Sequence, residues 1–141
     1  MKKYLKISLV YAIFAMIGGV FYREFTKFND YTGVTTLGKV HTHLFLLGMI
    51  VFMIVALFAK DNKLEEQKSF RVFMYVYNIG IAVMISMMIL RGVVQVIELN
   101  VSNSVNAMIS GVAGLGHIAV GVGIVLLIIS LMKVDNKKGY E

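Results

Sequence analysis

The stretch VHTHLFLLGMIVFMIVALFA, residues 40–59, is apolar almost throughout and carries two histidines near its start. Twenty residues of helix rise about 30 Å, the depth of a bilayer's hydrocarbon core. Three more apolar stretches accompany it, over residues 5–22, 72–90 and 107–132. In a chain of 141 residues with 58% apolar side chains and a mean hydropathy of +0.78, they predict a membrane protein rather than a water-soluble domain. Lipid offers the backbone no hydrogen-bond partners, so each span is expected to be helical. Short connections make consecutive spans antiparallel neighbours. The expected fold is therefore an all-α membrane protein, a four-transmembrane-helix up-down-up-down bundle forming a single transmembrane domain over residues 1–141.

Charge fixes the expected orientation. The net charge is +6, yet nucleic acid is not an expected partner, because the basic residues gather at the span ends. Lys2, Lys3, Lys6, Lys60, Lys63, Lys68, Arg71, Lys133, Lys137 and Lys138 fall on one side, against Arg23, Lys27, Lys39 and Arg91 on the other. The positive-inside rule places both termini on the cytoplasmic side of the membrane. The run after Met1-Lys2-Lys3 has the outline of a secretory leader, but no small-x-small cleavage site precedes Arg23, and it is read as a retained helix.

Cysteine, proline and tryptophan are absent, which excludes a disulfide framework and any thiolate ligand to metal or haem. Histidine and methionine remain as soft ligands. The sequence contains no nucleophile–base pair, phosphate-binding loop or carboxylate dyad, so no catalytic constellation is assigned.

Sliding the chain against itself by 74 positions exposes an internal repeat. His43 falls on His117, Gly18 on Gly92, Glu24 on Glu98 and Asp61-Asn62-Lys63 on Asp135-Asn136-Lys137, and 13 of the 67 overlaid positions are identical. About six would match by composition alone. The bundle is thus expected to consist of two parallel tandem helical hairpins, residues 1–67 and 75–141, each with a histidine in its second span.

Ionisable groups inside spans are costly and mark function. Counted at 1.5 Å per residue, His43 stands about 25 Å above Lys60 and His117 about 24 Å above Lys133, so the two imidazoles are expected at one level. Two facing imidazoles are what a six-coordinate haem iron needs. On helix four, Ser110, Gly114 and Gly121 share the His117 stripe, and the missing bulk would admit a flat macrocycle. Arg91, Arg23 and Lys39 lie at the outer span ends as candidate partners for haem propionates. His41 is two residues from His43, about 200° around a regular helix, so the pair cannot grip one metal. His43 is the preferred ligand, and His41 is kept as a cofactor-binding candidate. Met49, Met53, Met74, Met84, Met87 and Met88 leave copper handling through histidine and methionine as an alternative. A cofactor-free membrane partner subunit is another.

His41-Thr42-His43, followed by Gly48 in an apolar helix, resembles the His-x-His helices of the haem-copper oxidase superfamily. The chain is also similar to a group of small four-helix membrane proteins of Gram-positive bacteria. The oxidase resemblance implies that His43 matches a low-spin haem ligand and His41 the position facing a second haem. The chain has only three histidines, so the copper centre of that superfamily has no counterpart. What the resemblance implies is one bis-histidine haem b, serving one-electron transfer or haem-linked gas sensing. The expected partners are membrane lipid, haem, a redox partner protein or quinone, and copies of the chain itself.

Overall fold

The computed structural model describes residues 1–60 and 63–138, with side chains described to Lys133. Asp61, Asn62 and the side chains of Asp135-Asn136-Lys137, which the 74-residue offset pairs, lie outside the described residues. Helix one runs Lys2–Phe28, helix two Leu37–Phe58, helix three Lys68–Val96 and helix four Asn103–Lys138. A 3₁₀ turn, Leu64–Glu66, precedes helix three. All four helices are long and apolar enough to cross a membrane, and no strand occurs among the described residues.

Glycine sets how closely the helices approach. A Cβ on Gly80 would lie 2.9 Å from the Ala119 Cβ, and one on Gly116 would lie 2.8 Å from the Met84 nitrogen. Helices three and four therefore meet backbone to backbone, as small residues allow in membrane bundles. Gly18 performs the same service for Val40 between helices one and two, and Gly92 for Leu37 between helices two and three. Helices two and four approach each other less closely than chain neighbours do.

Burial is inverted relative to a soluble protein. Leu9, Val20, Leu57, Leu115 and Ile118 are each 60% exposed or more, a surface suited to hydrocarbon rather than water. Tyr4, Phe52, Phe70, Phe73 and Tyr77 fill the core at one end, with ring centroids 5.0 Å apart for Phe73 and Tyr77. Polar groups pair inside this shell. The Tyr11 hydroxyl donates to Asn78 Oδ1 at 2.6 Å, and Ser130 bonds Ser69 at 2.8 Å. At the chain's N-terminal end, Tyr4 donates to Glu65 at 2.5 Å and Lys3 lies 3.4 Å from the same carboxylate. The tyrosine hydrogen bond, aided by Lys3, holds the Glu65 carboxyl below the usual carboxylate range.

Two departures from regular helix follow from these contacts. Residues 31–36, ahead of helix two, are not helical. Thr35 donates to Gly92 O at 3.1 Å, Thr36 to Met88 O at 2.8 Å, and the Thr36 N–H is taken by Gln95 Oε1 at 2.8 Å. These bonds clasp the segment to helix three, and helix two begins at Leu37. Within helix two, Leu44–Ile50 winds as a π turn. Helices one and three end alike, with Asp30 (φ 48) and Glu98 (φ 50) in the left-handed region. Tyr31 N–H then bonds Thr26 O at 3.0 Å, and Leu99 N–H bonds Val94 O at 3.1 Å, the Schellman arrangement.

Candidate functional site

His43 closes the second turn of helix two, and its Nδ1 lies 2.8 Å from Lys39 O, four residues back. His117 repeats this on helix four, with Nδ1 2.8 Å from Ala113 O. A carbonyl oxygen only accepts, so each Nδ1 carries a proton, which leaves Nε2 as the nitrogen able to ligate. Tying the second nitrogen in this way is how ligating histidines are oriented at metal centres. Lys39 and Ala113 are themselves 74 residues apart.

The two rings face each other. Their centroids are 6.4 Å apart and their planes cross at 85°. Two imidazoles gripping one metal from opposite sides would stand about 6.3 Å apart, once each ring's half-width is added to a metal–nitrogen distance of about 2.0 Å, whereas neighbours in a tetrahedral site would stand only about 5 Å apart. They line a groove of about 280 Å³ together with Thr36, Lys39, Met87, Met88, Arg91 and Ala113. Arg91 reaches across from helix three to hydrogen-bond the Ser110 hydroxyl, which in turn donates to Asn106 O at 2.8 Å. Neither Lys39 nor Arg91 has a carboxylate within ion-pair distance among the described residues. The groove therefore brings together two imidazoles, two methionines and two cations.

Beside His117 the face of helix four is bare. A Cβ on Gly114 or Gly121 would meet nothing within 4 Å, whereas Gly116 and Gly123 pack against helix three. The two glycines that the sequence placed on the His117 stripe are thus an open pair, and Gly116 and Gly123 are a packing pair.

The other candidates lie elsewhere. His41 turns toward helix one, where a Cβ on Gly19 would lie 3.7 Å from its ring carbon. Its Nδ1 is buried without a hydrogen-bond partner among the described residues. Arg23 lies 3.8 Å from Glu24, is 81% exposed, and does not line the groove. Among the described residues no group of three or more histidine, aspartate, glutamate or cysteine side chains converges to hold a metal ion. Thr36, missing from the sequence-based candidates, joins the groove because it is folded onto Met88. The only hint of it in the sequence is a polar pair, Thr35-Thr36, just ahead of an apolar run.

The arrangement defines a small helical protein, built of four potential membrane spans, with a cationic, histidine-faced groove between its second and fourth helices. The chain belongs to the family described as Protein of unknown function (DUF2871), whose match covers residues 1–134. Comparison with curated proteins and with solved structures finds no match. The likeness of His41-Thr42-His43 to oxidase helices therefore stays at that motif.

Proposed function

We propose that this protein is a b-type haem protein of the bacterial cell membrane that holds one haem between His43 and His117 and serves one-electron transfer. The observation that carries this is the pair of rings 6.4 Å apart with both Nδ1 atoms tied to backbone carbonyls. Two imidazoles with Met87 and Met88 beside them resemble a soft-metal donor set, but Lys39 and Arg91 line the same groove and repel a free metal cation, whereas they suit a group that carries carboxylates. A porphyrin brings its own four equatorial nitrogens, so two axial imidazoles suffice. Both points favour haem over copper as the occupant.

The donor set fits the group. His43 and His117 would supply the axial nitrogens, and Lys39 and Arg91 the cations for two propionates. Gly114 and Gly121 leave room beside His117 for the plate to extend past the groove. Haem iron with two histidine ligands supplies one-electron redox chemistry and no open coordination position, which favours electron transfer over gas sensing. The protein's own residues would orient the two imidazoles through the Lys39 and Ala113 carbonyls and hold the carboxylates through Lys39 and Arg91, with Met87 and Met88 lining the groove between.

The same proposal includes topology. Two parallel hairpins, residues 1–67 and 75–141, would place both termini in the cytoplasm and the groove in the outer half of the bilayer, as the lysine and arginine distribution supports. Protein purified in mild detergent from cells supplied with a haem precursor is expected to be coloured, to contain about one iron per chain, and to give a sharp b-type α-band on reduction. A colourless protein, or one carrying copper in place of iron, would refute the proposal.

A further inference from the structure

The two facing histidines sit on helices of different winding. Residues 118–124, which follow His117, are regular α-helix, whereas Leu44–Ile50, which follow His43, form the π turn. Such turns are rare and recur at functional sites. Three side chains from other helices fit this one. Tyr77 donates to Leu47 O at 2.8 Å and Ser8 donates to Met49 O at 2.8 Å. The ring of Tyr11 fills the space where a Cβ on Gly48 would stand.

A π turn takes in about one residue more than an α turn, so it offsets the phase of the helix on its two sides by about 100°. The inner side is fixed. Phe52 is fully buried and packs on Tyr11, Phe73 and Tyr77. In an unbroken α-helix, nine residues separate His43 from Phe52 by about 180°, which would point His43 away from the core and out of the bundle. The same count would bring His41 within about 20° of Phe52. With the extra residue absorbed, His41 faces helix one and His43 faces helix four, as observed.

We propose that the π turn aims His43 at His117, and that Tyr77 and Ser8 are positioning residues that hold the turn by its carbonyls. The functional meaning rests on the haem proposal, but the geometry can be read without it. The chain has no native cysteine, so His43→Cys with His117→Cys gives a unique pair for a short bifunctional maleimide. Cross-linking is expected in the otherwise unaltered chain. It should fall at least fivefold when Ser8→Ala and Tyr77→Phe are added, with helical content unchanged. Deleting Leu46, a 58% exposed residue of the turn, then supplies the missing compensation. One residue fewer lets a plain α-helix carry His43 in the observed direction, so cross-linking should return without the two hydroxyls.

In the histidine-bearing chain, haem content and the low-spin ferric resonance signals should follow the same pattern of loss and recovery. Undiminished cross-linking in the double variant, or no recovery on deleting Leu46, would overturn the proposal. Cross-linking that behaves as expected in a chain that takes up no haem would leave the aiming intact and remove the haem proposal alone.

Discussion

His43 and His117 are prepared before any ligand arrives, because each ring already donates to the carbonyl one turn back. Their substitution is therefore expected to act on binding rather than folding. Both residues border the groove outside the buried aromatic core. His43→Ala and His117→Ala should each abolish the b-type band while leaving the melting temperature in detergent within a few degrees. His41→Ala should keep most of the band, since His41 faces helix one. Arg91→Gln removes a cation that has no carboxylate partner among the described residues, and should weaken haem retention about tenfold, or roughly 1.4 kcal/mol. Titrating haem into stripped protein measures each of these. The pairing of His43 with His117 was visible in the sequence because a fixed offset links them. Lys39 and Arg91 were likewise legible as cations at the outer span ends, whereas Thr36 was harder to place, because its position depends on Met88 and Gln95, more than fifty residues away.

At the scale of elements, the four apolar runs located the helices, since run length alone distinguishes spans from loops. The π turn was not legible. Leu44, Gly48 and Phe52 recur at a spacing of four, which an α-helix also permits, and the hydroxyls that hold the turn come from helices one and three. The division of the glycines was equally hidden, because small residues read alike whether they face a neighbouring helix or open space. The structure separates them, and a pair of substitutions tests the division. Gly116→Leu drives a side chain into the Met84 backbone and should destabilise the bundle by about 1–3 kcal/mol or more. Gly114→Leu meets no neighbour, so it should melt normally yet lose haem by occupying the face beside His117. Thermal unfolding in detergent, set beside haem content, distinguishes the two.

For the whole molecule, the outward apolar surface and the inward polar pairs describe a protein whose solvent is lipid. Orientation in that lipid is tested with single cysteines in the cysteine-free chain. Val34→Cys, in the exposed loop between helices one and two, should react with an impermeant maleimide on intact cells. Lys3→Cys should react only after the cells are opened. The reverse pattern would put the groove on the cytoplasmic face and remove the proposed outer-leaflet location.

The ends of helices one and three hold an unused reserve of thermal tolerance. Asp30 and Glu98 occupy backbone geometry that glycine adopts freely, and a side chain there carries a conformational penalty of about 1 kcal/mol or more. Glycine gives back part of that gain through its looser unfolded chain. Asp30→Gly and Glu98→Gly together should still raise the melting temperature by a few degrees, and both lie well away from the histidines. A chain with acidic side chains at such corners has left heat resistance unclaimed, which makes these two positions the natural place to toughen the protein for biophysical work.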